Sequence, residues 1–245
     1  MCDAREPMGN GCMMAKYIFL VRSPESLERK VFRSRMVDEL VHRLLELDPE
    51  RLKISLTENE RPRLTVLPLK ATGLAMVSVW GELDGAIERW KAEMESTGGR
   101  VAGYRVTESQ PVTYEKDWED GCASPGMVLL TLMKKNARLS YEQFMDEWFG
   151  HHTPMALRIH PLWSYTRNVV ESVVIQDSPP IDGIVEEHFR SLGDITNPMR
   201  FFGGAFRMLP NMLKVYRHSN KFLEISTIEN YLVTEYHIRS GRPSG

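Results

Sequence analysis

Long apolar runs are missing from this chain of 245 residues. The longest, such as MVLLTLM at 127–133, suit a buried strand and are far too short to cross a bilayer. Residues 1–15 lack a basic start followed by an apolar stretch, so we expect no signal peptide. The formal net charge is only −2, without a block of basic residues interleaved with aromatics. The sequence therefore predicts a cytoplasmic protein with neither nucleic acid nor membrane as a partner.

Cysteines are also scarce, and their spacing excludes a disulfide framework. The three are Cys2, Cys12 and Cys122, and no pair has the spacing of a zinc site, which fits a reducing cytoplasm. The Gly-x-Gly-x-x-Gly, Walker A and Gly-x-Ser-x-Gly motifs are absent, so nucleotide-binding and serine-hydrolase functions have no support. We predict no cofactor and no metal.

Hydrophobic residues make up 42% of the chain, enough for a substantial core. In the C-terminal half they predict strands at 127–135, 164–175, 183–191 and 225–239. A helix follows Ser140, which has Gln143 at the capping-box spacing, and a short, broken helical segment is predicted at 195–206. The order is β-α-β-β-α-β.

The N-terminal half repeats this order more faintly. Strands are predicted at 16–22, 51–58, 73–80 and 100–112, and helices at 23–47 and 83–96. Residues 114–126 are polar with Gly and Pro, which is typical of a linker.

Two such units predict an α+β fold of tandem ferredoxin-like repeats. Each antiparallel sheet has helices on one face, and burying the two open faces together closes a barrel within one chain. We expect a flexible tail at 1–15, an N-terminal domain at 16–113 and a C-terminal domain at 126–240. Strand edges at the rim of the barrel make a homodimer reasonable.

The stretch WFGHHTPMALRIHP at 148–161 holds three of the seven histidines. His151 and His152 are adjacent and point about 100° apart on a helix, so a shared metal ion is disfavoured. Because Pro154 disfavours helical backbone before it, we expect one helix to end near His152 and a second to begin at Thr153. The imidazoles would then stabilise a helix C-terminus, and His160 would lie in a turn.

Two motifs add a resemblance to a known family. FxxxWxxxHTP at 144–154 and HPLxxYxxNVV at 160–170 resemble the signature of EthD-domain proteins, members of the dimeric α+β barrel superfamily. The similarity continues through PPIDG and VEEHFRS to NYLVTEYHIR at 230–239 and covers roughly 127–240, while residues 16–112 resemble a degenerate copy. His188 departs from the family pattern, which usually has a larger apolar or aromatic residue there, and His151 adds a second imidazole beside the motif histidine.

The resemblance and the strand pattern together suggest a ligand site inside the barrel. The family motif falls on His152, which we expect to titrate near neutrality and to move a proton. Strand alternation puts Glu186 and His188, and likewise Glu235 and His237, opposite the helix-covered face, so they should face the cavity. For His237, exposure at the strand end is an equal alternative. The predicted catalytic residues are His152, His188 and Glu235, and the predicted substrate-binding residues are Trp148, His151, Tyr165, Asn168, Glu186 and His237.

The resemblance implies several reactions. Family members are associated with an oxygenase system for ether breakdown and with dehydration of aromatic polyketides, and related barrels include cofactor-free monooxygenases, lactone isomerases and haem-dependent enzymes. We expect a cofactor-free dehydratase or isomerase that acts on an apolar or aromatic small molecule by histidine acid/base chemistry. The alternatives are a non-catalytic binding protein of an oxygenase pathway, a monooxygenase, or a haem- or metal-dependent oxygenase.

Overall fold

Strands and helices follow each other in the predicted order in the N-terminal half. The structure, a computed structural model, describes residues 14–57, 65, 67–83 and 85–241. The N-terminal strands are β1 (Lys16–Arg22), β2 (Arg51–Thr57), β3 (Leu74–Trp80) and β4 (Arg100–Val112). The first helical run comprises α1 (Arg29–Ser34), a π-helical segment (Arg35–Leu40) and α2 (Val41–Glu46), and α3 (Ile87–Glu95) precedes β4. This run starts later than the predicted 23–47, because residues 23–28 form a turn after β1.

The C-terminal half has the same order with a longer helical section. Its strands are β5 (Met127–Met133), β6 (Leu162–Val173), β7 (Gly183–Phe189) and β8 (Glu229–Arg239). Between β5 and β6 lie α4 (Tyr141–Met145), a π-helical segment (Asp146–His152) and α5 (Thr153–Ile159). Between β7 and β8 lie α6 (Leu192–Thr196), α7 (Pro198–Phe201), α8 (Met208–Phe222) and a 3₁₀ turn (Ile225–Thr227). The sequence pattern predicted a helical segment only to residue 206 and missed α8.

The eight strands close into an antiparallel barrel in the order β1-β3-β2-β8-β5-β7-β6-β4, with β4 paired again to β1. Each half contributes the same arrangement, β4-β1-β3-β2 and β8-β5-β7-β6, and the halves join through β2–β8 and β4–β6 pairing. The predicted tandem ferredoxin-like barrel is therefore confirmed. Because every strand in the ring has two neighbours, the argument for a homodimer from free strand edges does not apply.

Helices cover the outside of the barrel, as the apolar strand faces predict. In the N-terminal half, Phe32 and Met36 on the first helical run and Trp90 and Met94 on α3 are buried against the outer face of the sheet. In the C-terminal half, Trp148 packs over β7, where a Cβ on Gly183 would lie 2.7 Å from the indole ring. Glycine at 183 therefore allows this close helix–sheet contact.

The interior of the barrel has an apolar part and a polar part. One part is packed with apolar side chains, which are Ile18, Leu20, Leu74, Met76, Ala102, Tyr104, Val106, Val128, Leu130, Leu132, Ile184, Tyr231 and Val233. Beyond them, the inward positions become charged or polar along several strands, for example from Ile184 to Glu186 on β7 and from Val233 to Glu235 on β8. We call this second part, with Lys16, Lys53, Glu108, Glu186, His188, Glu235 and His237, the polar end of the barrel.

Two predictions concern the termini and the membrane. The predicted tail at 1–15 lies outside the described residues except for residues 14 and 15, and so do Cys2 and Cys12. Cys122 is exposed and has a free thiol. No helix in the described ranges has the length and apolar character needed to span a bilayer.

Candidate active site

The helical run from Tyr141 to Ile159 is continuous, which differs from the predicted break at His152. It begins as expected, because the Ser140 hydroxyl accepts from the backbone N–H of Gln143 while the Gln143 side chain accepts from the N–H of Ser140. His152 and Thr153 both have right-handed helical backbone angles. The π-helical turn just before Pro154 widens the helix, and such turns accommodate local strain without ending it. The two imidazoles therefore do not cap a helix end.

The three clustered histidines have different surroundings. His151 is 59% exposed and pairs loosely with Asp146, 3.5 Å away. His160 is buried, and its Nδ1 lies 2.8 Å from the carbonyl oxygen of Phe201. His152 turns toward the protein, and its ring lies 5.0 Å from that of Phe222 on α8. Of the three, only His151 faces solvent, and it lies outside any buried site.

A cavity of about 160 Å³ lies between the outer face of the C-terminal sheet and the helices. Its floor comes from strands β5, β6 and β7 and its roof from the π-helical segment, α7 and α8. Most of its walls are apolar, and Trp148, Phe201 and Phe222 contribute aromatic rings. The titratable groups on its walls are His152, His160, Tyr165 and Glu187. We call this cavity the helix–sheet pocket.

Glu187 is the one carboxylate in the wall of the helix–sheet pocket among the described residues. It lies on β7 directly opposite Tyr165 of β6 and Leu129 of β5. Its side chain has no hydrogen-bond or ion-pair partner within the described part of the chain. Burial without a partner raises the pKa of Glu187 to about 7, because the charged carboxylate is poorly solvated there. The Glu187 carboxyl can therefore both gain and lose a proton near neutral pH.

His152 and Tyr165 are neutral groups beside this carboxyl. Burial, with a smaller contribution from the nearby imidazoles of His218 and His160, lowers the pKa of His152 to about 3. Its Nδ1 is buried without a hydrogen-bond partner among the residues described. Burial, together with repulsion from Glu187, raises the pKa of Tyr165 to about 12. Burial therefore acts against the expectation that His152 titrates near neutrality, because it disfavours the charged imidazolium.

At the polar end of the barrel, Lys53 links two buried carboxylates. Its Nζ lies 2.6 Å from Oε2 of Glu186 and 2.9 Å from Oε2 of Glu235, and all three side chains are at most 8% exposed. Burial opposes the charge on Lys53, but the two carboxylates outweigh burial and hold its pKa above the ordinary value. Burial likewise acts on Glu235, but Lys53 and His237 hold its pKa well below the usual range. These charges compensate one another within the barrel.

A second ion group at the same end surrounds Lys16. Its Nζ donates to Oδ1 of Asn168 at 2.7 Å and pairs with Glu108 at 3.1 Å. It also lies 4.4 Å from the ring centroid of Trp80. Asn168 in turn donates to Oε1 of Glu186 at 3.2 Å, so the two ion groups form one network. This network explains why Asn168 and Glu186 are buried, and it leaves them engaged with protein groups.

The remaining predicted residues at this end are also held by protein partners. Nε2 of His188 lies 2.8 Å from the carbonyl oxygen of Pro125, and its Nδ1 is 3.7 Å from Glu235. Burial lowers the pKa of His188 despite the nearby Glu235. His237 is 15% exposed, and its Nε2 lies 3.0 Å from Oε1 of Glu235. The phenol of Tyr114 donates to the same carboxylate oxygen at 2.5 Å.

The structure therefore divides the predicted site residues between two places. His188, Glu235, Asn168, Glu186 and His237 lie within the barrel, where a polar pocket of about 230 Å³ opens at the rim and is lined in part by Lys53, Tyr114, Glu235 and His237. Trp148, His152 and Tyr165 lie in the helix–sheet pocket. Alternate residues of a strand point to opposite faces of the sheet, so these two sets cannot meet. The sequence-based expectation of one shared hollow inside the barrel is corrected accordingly.

Sequence reasoning missed Glu187, Lys53 and Tyr114. Glu187 had a signal, since it is an acidic residue between Val185 and Phe189 on the apolar strand face. Lys53 likewise interrupts a strand that is otherwise rich in apolar residues. Tyr114 lies in the segment interpreted as a linker, and no local pattern relates it to Glu235.

Residues 136–200 match the family model of the EthD domain. This match lies in the C-terminal half of the chain. The matched segment includes Trp148, His152, Tyr165 and Glu187, so each of these helix–sheet pocket residues falls within the match. A search of curated proteins found no significant match to the chain.

Solved structures show the same fold at very low sequence identity. An anthrone oxidase-like protein superposes with a TM-score of 0.57 at 7% identity, covering 94% of this chain and 97% of that protein. A dye-decolorizing peroxidase from Bacteroides thetaiotaomicron gives 0.51 at 8% identity, covering 92% and 93% of the two chains. The described chain therefore has the dimeric α+β barrel fold.

Histidine ligates both haem iron and metal ions, so the helix–sheet pocket is a candidate site for either group. Its volume of about 160 Å³ is below the roughly 300–1,000 Å³ of pockets that hold drug-sized ligands. The rings of Phe222 and His218 lie 5.0 and 5.4 Å from that of His152, in the space beside the imidazole. Within the described ranges, no three His, Cys, Asp or Glu side chains are grouped to hold a metal ion. The pocket as it stands does not fit these groups.

Proposed function

We propose that the protein is a cofactor-free acid/base enzyme of the lyase or isomerase type that acts on a small apolar ligand in the helix–sheet pocket. The observation that carries this proposal is Glu187, an unpartnered carboxyl on the wall of an apolar cavity with a pKa raised to about 7. A general base works best when its pKa lies near the working pH. Proteins with similar barrels catalyse many different reactions, so the proposed chemistry rests on this side chain and not on the fold.

The size of the pocket defines the ligand class. A volume of about 160 Å³ is close to that of an engineered apolar cavity of about 150 Å³ that binds benzene. We infer a compound with a single ring, or an acyclic compound of similar size. The aromatic walls from Trp148, Phe201 and Phe222 suit a flat apolar molecule. A carbonyl group would give the ligand an acidic C–H bond and an oxygen for the neutral donors.

The proposed reaction begins with the Glu187 carboxylate taking a proton from the carbon next to the carbonyl. The C–H electron pair moves into an enolate, whose oxygen accepts a hydrogen bond from the phenol of Tyr165 or the N–H of His152. Glu187 then returns the proton to a different carbon in an isomerisation, or the enolate expels a hydroxyl group as water in a dehydration, with Glu187 supplying the proton. Neither route consumes an oxidant or a reductant.

Oxygenation is a second candidate. The protein with TM-score 0.57 is named anthrone oxidase-like, and an enolate formed by Glu187 is an electron-rich species that dioxygen can oxidise. Both candidates share the first step. They differ in whether dioxygen is consumed.

A panel of single-ring β,γ-unsaturated ketones tests the proposal, since isomerisation creates a conjugated enone with strong ultraviolet absorption. We expect turnover under argon, with a rate that rises with pH through about 7 as Glu187 loses its proton. An oxygen electrode distinguishes the second candidate, for which turnover stops under argon. Tight binding of these ketones without solvent deuterium exchange at the α-carbon contradicts both and favours a non-catalytic binding protein.

The two adjacent histidines provide a matched comparison. His152→Gln removes the neutral imidazole from the pocket wall and is expected to lower kcat by about 10²- to 10³-fold, as for the loss of one donor to an oxyanion. His151→Gln changes an exposed ring and is expected to leave kcat and KM unchanged. Equal loss in the two variants would contradict a role for His152 at the reacting atoms.

A further inference from the structure

Helix α8 has a second apolar face that points to solvent. Its inner side packs over the helix–sheet pocket through Met212 and Val215. On the outer side, Leu209, Leu213 and Tyr216 are 57%, 48% and 60% exposed. Their i, i+4, i+7 spacing places them in one stripe along the helix.

Apolar exposure continues past the start of α8. The side chain of Phe206, in the turn before the helix, is 99% exposed, and Met199 on α7 is 51% exposed. Isolated exposed apolar residues are common, but a run of large ones within one segment marks an interaction surface. We call Phe206, Leu209, Leu213 and Tyr216 the outer stripe.

The surroundings of the outer stripe are strongly basic. Residues 195–223 contain no Asp or Glu, and their basic residues are Arg200, Arg207, Lys214, Arg217 and Lys221, all exposed. Lys221 pairs with Glu147 at 3.0 Å and Arg200 lies 3.7 Å from Asp194. Arg207, Lys214 and Arg217 make no ion pair with another described residue. The chain as a whole has a net charge of −2, so this positive charge is local.

We propose that the outer stripe and its basic flank form a docking surface for an anionic lipid bilayer. An amphipathic helix that has large apolar residues on one side and Lys or Arg beside them lies in the plane of a membrane interface. Fully exposed Phe206 would insert among the acyl chains, while Lys214 and Arg217 contact the lipid phosphates. A second copy of the chain fits this surface poorly, because a symmetric contact would bring two like-charged basic flanks together.

The position of α8 connects this surface to the helix–sheet pocket. The same helix forms part of the pocket roof through Val215, Ser219 and Phe222. Docking therefore places the roof against lipid, where apolar compounds concentrate. This last consequence rests on the proposed function, whereas the docking itself does not. This proposal differs from the prediction of no membrane partner, which rested on the lack of a spanning segment in the sequence.

Sedimentation of the full chain with lipid vesicles tests the proposal. We expect binding to vesicles of phosphatidylcholine with 30% phosphatidylserine, weakening as salt is raised, and little binding to phosphatidylcholine alone. Phe206→Ser combined with Leu213→Ser is expected to lower the partition constant by roughly tenfold or more. The control, Val31→Ser, removes a 40% exposed valine in the N-terminal half and is expected to bind as the unchanged protein does.

A charge reversal separates the basic flank from general electrostatics. Lys214→Glu with Arg217→Glu is expected to abolish the preference for anionic vesicles. Lys30→Glu with Arg100→Glu makes the same change in net charge at two exposed sites of the N-terminal half and is expected to preserve it. Circular dichroism establishes that each variant is folded. Glu187→Gln is expected to bind vesicles normally, so failure of the proposed chemistry and failure of docking are distinguishable.

Two results overturn the proposal. One is the absence of binding to anionic vesicles at low salt. The other is a dimer that sedimentation equilibrium detects and that Phe206→Ser dissociates, together with undetectable vesicle binding by the unchanged protein. The outer stripe would then contact a second copy of the chain.

Discussion

Glu187→Gln is expected to lower the rate of proton transfer by about 10²- to 10⁴-fold, the usual contribution of a positioned general base. Glutamine keeps the shape of the side chain but cannot accept the proton. The measurement is kcat for the ketone that turns over best, with KM expected to change little. Glu142→Gln, at an exposed position on α4, is the control and is expected to leave both constants unchanged.

The same substitution is expected to stabilise the protein at alkaline pH. The pKa of Glu187 is raised from 4.5 to about 7 in the folded state, so the folded carboxyl holds its proton more tightly than the unfolded one. The native protein therefore loses stability as pH rises from about 4.5 to about 7, by about 3 kcal/mol, and does not regain it above pH 7. Glu187→Gln removes this loss.

Urea unfolding at pH 5 and pH 8 measures the effect. The free energy of unfolding should fall less between these two pH values in Glu187→Gln than in the unchanged protein or in Glu142→Gln. Comparing two pH values within each protein cancels the cost of burying an amide. An unchanged pH dependence together with lost activity would show that Glu187 is charged in the folded state and would contradict its assignment as a base with a raised pKa.

Lys53→Met is expected to destabilise the protein by about 3–5 kcal/mol, the cost of leaving buried charge without its partner. Glu186 and Glu235 would lose the ammonium group that lies within 2.9 Å of both. A typical domain has only about 5–15 kcal/mol of stability in total. The measurement is the free energy of unfolding in urea, followed by far-ultraviolet circular dichroism. Lys91→Met breaks an exposed pair with Glu88 and is expected to cost about 0–1 kcal/mol.

A compensated variant keeps this test decisive if Lys53→Met does not fold. Lys53→Met combined with Glu186→Gln and Glu235→Gln removes the charges together, and it is expected to recover part of the lost stability. The unchanged protein should also resist acid, because Lys53 and His237 hold the pKa of Glu235 well below its usual range despite burial. That stabilisation is present above the unfolded pKa and is lost as pH falls through the folded one. Equal stability of Lys53→Met and Lys91→Met would contradict the role of the network.

The outcome at α8 shows where sequence patterns fail. The inner residues of this helix contact the pocket roof and the outer ones contact solvent, so apolar residues occur on two sides and the usual single apolar stripe is lost. Pro210 within its first turn and the glycines before it also resemble a loop. The sequence pattern also predicted a helix end near His152, whereas the helix continues. A π-helical turn accommodates Pro154 at a point where a regular helix would stop.

The repeated order of strands and helices predicted the closed barrel. The sequence by itself determined the order of the strands, the capping box at Ser140 and the faces of Glu186, His188, Glu235 and His237. These features follow from local periodicity and backbone preferences, which short segments specify alone. Only the tertiary structure decided where the pockets lie, that Lys53 pairs with Glu186 and Glu235, and that Glu187 has no partner among the described residues. Space and charge pairing depend on side chains from distant strands and helices, so no single segment encodes them.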